Sequence, residues 1–266
     1  MFHTKTIVLI LMSFVLSVCV QAQGRQPQTL ASLRGEVMSA RQQEPAAEEL
    51  VRRVLSYRQQ GQTLLLHASR QGDVELIARL AQVLPDTRVF QAKDRLKRNA
   101  FHLAANYDTA LELMKTYAVL RGRETRDLSD VFDRRAFKTA LINAGDLHSE
   151  TPLMAQVRAK HYDVAFLYLT KNADLNRKTV AGDTVMHMLV RQCAGNNPQA
   201  LELLQSFLRG EPYSVFLRDG QDRTPLDLAG EIRARVAFEK IKEVQQTEQE
   251  SRTRNIRIAL RNFFTN

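Results

Sequence analysis

Cysteine is scarce in this chain: Cys19 and Cys193 are the only two. Cys19 falls in an N-terminal stretch expected to be cleaved off, so a single thiol remains and no internal disulfide can form. An exported protein without such cross-links must be held by packing alone. No second long apolar run follows Ile7–Val20, so nothing else is expected to span a bilayer. Short catalytic signatures are missing as well: GxGxxG, GxxxxGK[ST], GxSxG and HExxH do not occur. His67, His148 and His161 have no Cys, His or carboxylate partner at a metal-ligand spacing. Cys193 has no base and orienting group from which to assemble a nucleophilic site. Carboxylate pairs such as Glu48–Glu49 read as the solvated face of a helix. No cofactor, metal or catalytic residue is expected, and an enzyme is excluded on this reading.

Positive charge is in excess. Lys and Arg number 38 against 29 Asp and Glu, for a formal net charge of +9. That balance favours acidic partners. The basic residues are spread over both ends, an insertion and the tail, and no recognition module accompanies them, so nucleic acid is not an expected partner. Lys5, the apolar run and Val20-Gln21-Ala22 have the layout of a secretory signal peptide over residues 1–22, with the mature chain starting at Gln23. Leu16-Ser17-Val18-Cys19 offers a lipid-attachment alternative, weakened by Val18 where such sites take a small residue. Residues 23–44, rich in Gln, Arg and Ser, read as a flexible leader.

What the sequence does contain is an internal repeat. Five rows align on Thr63, Asn99, Thr151, Thr184 and Thr224. Thr151-Pro152-Leu153 and Thr224-Pro225-Leu226 are intact copies of one opening, and Asn172-Ala173-Asp174-Leu175-Asn176 closes the third row. Thr151 and Thr184 are 33 residues apart, and the other intervals are longer by insertions. In each row a turn leads into a residue able to cap a helix, with Pro suited to the first helical position. A second helix follows with apolar residues at helical spacing, Val74, Leu76, Ile77 and Leu80 in one row and Val164, Phe166, Leu167 and Leu169 in another. One such unit cannot bury its apolar face alone, so its neighbours must stack on it.

The rows resemble the ankyrin-repeat family over roughly residues 60–240. The resemblance implies an all-α ankyrin-repeat solenoid, with helix-turn-helix repeats joined by β-turn loops and helical caps at both ends. It also implies that His102 and His187 link neighbouring loops, and that Cys193 occupies a turn and is partly exposed. Degenerate rows mark a divergent member: Leu64 and Leu66 replace Pro and His in the first, Met154 replaces His in the third, and Leu189-Val190 replaces the small pair in the fourth.

The organisation read from the chain is an N-terminal capping helix over 45–60, a repeat domain over 61–244 with an insertion at about 118–145, and a basic amphipathic tail over 245–266. In the tail, Ile256, Ala259, Leu260, Phe263 and Phe264 share one helical face; a cap folding back on the array is expected, with partner docking or membrane-surface contact as alternatives. The insertion is charged and helix-compatible, able to extend the preceding helix and to add another that projects from the array.

Arrays of this family are binding scaffolds, and the resemblance implies that partners meet the turn tips and first helices. The exposed positions expected there are Arg95, Lys97, Arg98, His148, Glu150, Lys178, Asp183, Arg218, Gln221 and Arg223, continued by Asn106, Tyr107, Arg158 and Arg191 along the first helices. A basic face of this kind suits a partner with an acidic surface. The function expected is a non-enzymatic, exported bacterial scaffold in the periplasm that regulates another envelope protein, for instance as an inhibitor or immunity protein for a cell-wall hydrolase. A host-directed effector and a membrane-surface adaptor are the alternatives.

Overall fold

The computed structural model describes residues 29–40, 47–124, 137–195 and 197–265, with side chains described as far as Asn255 apart from a few at segment edges. The expected signal peptide, Cys19 and the middle of the insertion lie outside these residues, as do the side chains of the tail's expected apolar face.

Recurring turn chemistry sets the register. Hairpins at 94–98, 146–150, 179–183 and 219–223 have the same build. The first residue's amide donates to the fifth residue's carbonyl: Asp94 to Arg98, Asp146 to Glu150, Thr179 to Asp183 and Asp219 to Arg223, at 2.9–3.0 Å. The fourth residue takes the left-handed conformation, with φ of 60° at Lys97, 60° at Ser149, 84° at Gly182 and 63° at Asp222. An acidic first residue pins the turn from inside. Asp94, Asp146 and Asp219 each accept the amides two and four residues on through Oδ1, while Thr179 Oγ1 accepts only from Asp183. These are Asx-type closures that spare the backbone a regular ladder.

A helix starts one residue beyond most hairpins. Thr63, Thr151, Thr184 and Thr224 are N-caps in extended conformation, the role Thr performs well at a helix start. They open α3 (Leu64–Gln71), α6 (Pro152–Ala159), α8 (Val185–Cys193) and α10 (Pro225–Glu231). Three of these helices end at a left-handed residue, Gly72, Lys160 and Arg233, and the next amide donates back to the carbonyl five residues earlier. The chain then reverses into α4 (Val74–Val83), α7 (Tyr162–Thr170) and α11 (Arg235–Thr265), while α9 (Pro198–Gly210) follows α8 after a longer turn.

Two rows result. In one, α6 packs on α8 and α8 on α10; in the other, α4 packs on α5 (Tyr107–Glu124), α5 on α7, α7 on α9 and α9 on α11. The apolar core runs continuously between them. Among the described residues there is no strand beyond an isolated bridge between Gln59 and Gln62. The chain is all-α.

The second row of the repeat departs from its neighbours. After Asn99 only a turn forms over residues 100–103 before α5. Carbonyls that a helix would use internally then need partners, because a buried polar group left unpaired costs about 1–3 kcal/mol. Gln156 Nε2 lies 3.2–3.4 Å from the carbonyls of Phe101, His102 and Ala104, and Tyr168 Oη donates to Phe101 O at 2.8 Å. Gln156 thus replaces missing helix hydrogen bonds.

Three expectations need correction. Residues 30–39, placed in a flexible leader, form α1 (Leu30–Ser39), which packs on α4 and on α2 (Ala47–Ser56). Leu33 and Val37, four apart, are fully buried, and Arg34 Nε donates to Asp73 at 2.6 Å. The Gln- and Ser-rich composition concealed this two-residue apolar stripe. Leu33→Ala is expected to lower stability by about 2–4 kcal/mol, and Arg34→Ala, at a half-exposed pair, by under about 1 kcal/mol. Urea unfolding midpoints measure both, and an unchanged Leu33→Ala midpoint would refute the docking.

The insertion's far end does not project. Its first part prolongs α5 to Glu124 as expected, but from Phe137 the chain packs into the core. Phe137 is fully buried, its ring edge-on to Phe101 at 5.6 Å and tilted on Tyr117 at 5.1 Å, with Leu141 and Ile142 also buried. The tail does not fold back: α11 is one helix of 31 residues. Gln245 Nε2 donates to Val215 O at 3.1 Å, and the Arg252 guanidinium lies 4.9 Å and 5.0 Å from the rings of Tyr213 and Phe216. These contacts fix α11 against the 3-10 turn Pro212–Phe216.

Candidate functional site

The hairpins stand side by side because their backbones touch. Leu147 N donates to Leu96 O at 2.8 Å, and Val180 N to His148 O at 2.9 Å. His102 and His187 fasten the units from beneath. Nδ1 of His102 faces Asn99 and its Nε2 lies 3.0 Å from Glu150 O in the next unit. His187 repeats this with Thr184 and, at 2.9 Å, with Arg223 O. Nε2 must carry the proton in both, since a carbonyl can only accept. Burial lowers both pKa values, that of His102 to about 4, against the smaller opposing effect of the accepting carbonyl.

Between the second and third hairpins and helices α6 and α8 lies an open groove of about 630 Å³. Five of the sequence-predicted residues line it: His148, Glu150, Arg158, Asp183 and Arg191. Two ion pairs face one another across it. Arg158 Nη2 is 2.8 Å from Glu150 Oε2, and Arg191 donates to both oxygens of Asp183 at 2.8 and 2.9 Å. Glu150 was expected to be exposed but is buried; desolvation raises its pKa, partly offset by Arg158. Apolar surface comes from Val180, Ala181 and Met188, which sequence reasoning missed. The available signal was Val180-Ala181, two successive apolar residues where each of the other hairpins carries at most one.

Other predicted residues lie elsewhere. Arg98 is committed to Asp94 and Arg223 to Asp219 and Glu231. Burial would raise the pKa of Asp219, but the amides of Arg223 and Gln221 and the Arg223 guanidinium outweigh that and bring it to about 2. These two arginines close their own hairpins and are less exposed than expected. Asn106 and Tyr107 do not extend a first helix: Asn106 accepts the Thr109 amide at the start of α5, and Tyr107 is the first residue of that outer-row helix. Arg95, Lys97, Lys178, Arg218 and Gln221 sit exposed on hairpins or beside them; Lys178 donates to Arg218 O, and Arg218 pairs with Asp222.

Chemically the groove offers paired charges and apolar walls. No group of three metal-ligating side chains exists among the described residues. Cys193, expected to be partly exposed, is buried at the end of α8 because the fourth unit turns later, and burial pushes its thiol up to about 12. A thiol reagent is expected to modify the native protein only at its unfolding rate; immediate stoichiometric reaction would contradict this placement. No helix among the described residues is long and apolar enough to cross a membrane. Compared with known proteins, the chain matches no family model and no curated protein sequence.

Proposed function

We propose that this chain is an ankyrin-type solenoid exported to the cell envelope, where it acts without catalysis by binding and regulating another protein. Inhibition of a cell-wall hydrolase is the first version to test. The repeated unit of hairpin, capped short helix, left-handed turn and second helix supports the solenoid reading, as do the two histidine bridges. The compartment rests on the signal-peptide layout of residues 1–22.

The observation that carries the binding reading is the groove. Its apolar walls supply area to bury, and Arg158 and Arg191 are held on carboxylates with side chains about half exposed. Arginines pre-positioned beside apolar surface lose little freedom on binding and are enriched among residues that dominate interfaces. Protein starting at Gln23, immobilised and challenged with envelope extract, is expected to retain one specific protein. An Arg158→Ala, Arg191→Ala bait is expected to lose it. Retention of nothing specific by the unsubstituted bait, or equal retention by both, would defeat the reading.

A further inference from the structure

We propose that the groove between α6 and α8 takes an uncharged, apolar segment of its partner protein in extended form and holds it by main-chain carbonyls. This names what fills the groove and rests on the groove being the binding site.

The polar side chains of the groove have spent their acceptors on one another and kept their donors. Glu150 lies under Arg158 with its side chain 10% exposed, and Asp183 under Arg191 at 20%, whereas the two arginines are 53% and 40% exposed. Arg191 uses only Nη1 and Nη2 on Asp183, and Arg158 only Nη2 on Glu150. Among the described residues the other guanidinium N–H groups, both Nε included, are uncommitted. Gln192 Oε1 accepts from Tyr162 Oη at 3.5 Å, which leaves its amide nitrogen to donate. Thr179 Oγ1 accepts the Asp183 amide at 3.2 Å, which leaves its hydroxyl proton. His148 completes the polar lining and, when neutral, brings one donor and one acceptor. Beside these donors stand Val180, 75% exposed, and half-buried Met188.

Charge narrows the occupant further. The whole chain is basic, but here two arginines meet two carboxylates and the charges cancel. A carboxylate or phosphate entering the groove would face Glu150 and Asp183 as well as the arginines, so Coulomb attraction gains it little. A neutral acceptor pays no such opposition and still finds the donors. Main-chain carbonyls are neutral acceptors at regular spacing, and an extended segment leaves them free where a helix would use them internally. Its apolar side chains then cover Val180 and Met188, which supply the area to bury.

The test pans a random peptide library displayed on phage against immobilised protein starting at Gln23, with counter-selection on the Arg158→Ala, Arg191→Ala variant. Circular dichroism melts check that each variant is folded. The enriched peptides are expected to be uncharged and rich in Val, Leu and Ile. The strongest is then made with a fluorophore and read by anisotropy. Its affinity is expected to change less than about twofold between low and high salt, since no net charge is screened. A version with esters in place of alternate amides keeps the side chains but weakens the carbonyl acceptors, and should bind at least about tenfold more weakly. A version with Asp at two positions should lose about as much. Glu150→Gln with Asp183→Asn uncovers the arginine charge and should raise the affinity of that acidic version at least about tenfold. Enrichment of Asp- and Glu-rich peptides, full binding by the ester version, or no enrichment that depends on the two arginines overturns the inference. Arginine-dependent retention of an envelope protein that moderate salt releases would overturn it too, while leaving the groove as the binding site. Loss of that retention altogether would defeat the groove itself.

Discussion

Gly220→Ala is expected to loosen the contact between the third and fourth described hairpins and lower stability by about 1–3 kcal/mol, the usual cost of forcing atoms into a filled site. A Cβ at Gly220 would clash with the Ala181 carbonyl oxygen. The obstacle is backbone, so no side-chain rotation relieves it. Across the contact, Gly182 has φ +84° and an added Cβ there would clash with Gly220 N. Gly182→Ala therefore combines a steric clash with a conformation that L-residues avoid, and should cost at least as much. Gly210, with nothing within 4 Å of an added Cβ, is the control: Gly210→Ala should be neutral or gain up to about 1 kcal/mol. Urea midpoints for the three variants measure the ordering. Equal midpoints would mean that the hairpins are not held tip to tip.

Acid is expected to weaken the array well above the ordinary carboxylate range. His102 has its pKa lowered from 6.5 to about 4, and His187 is lowered also. The native state holds both neutral, so the unfolded chain binds more protons below its own histidine pKa. Stability is therefore complete above pH 6.5 and drains away as pH falls toward 4, by up to about 3 kcal/mol from His102. Aspartates whose pKa is lowered, Asp73, Asp94 and Asp219 among them, extend the loss below about pH 4. Glu150 has the opposite sign: its pKa is raised, so its contribution favours folding at acid pH and fades as pH rises through the native value. Melting temperatures from pH 7 to pH 4 should fall steeply for the natural sequence, and His102→Gln should flatten the slope. Identical slopes would show that His102 does not titrate with unfolding.

Much of the architecture was legible because its determinants are local. Thr caps, Thr-Pro openings and alternating apolar spacings each act within one turn of chain, so Thr63, Thr151, Thr184 and Thr224 mark helix starts directly. The histidine bridges could be anticipated from position within the repeat. What stayed hidden depends on contacts distant in sequence. Asn99 looks like another cap, yet only a turn follows it, and the compensating donors are Gln156 and Tyr168, more than fifty residues away. Phe137 reads as part of a charged spacer until Phe101 and Tyr117 surround it. Charge counting misled for a different, local reason. Arg98 and Arg223 carry the same formal charge as Arg95, but carboxylates four residues earlier hold them.

Site-specific photo-crosslinking tests the central claim most directly. A photoreactive residue replaces Gln192 on the groove wall in one variant and exposed Glu239 on α11 in another. After illumination in the cell that makes the protein, the account predicts one discrete adduct from position 192, carrying an envelope protein, and none from position 239. Adducts from position 239 alone, or from neither position, would contradict the groove as the binding site.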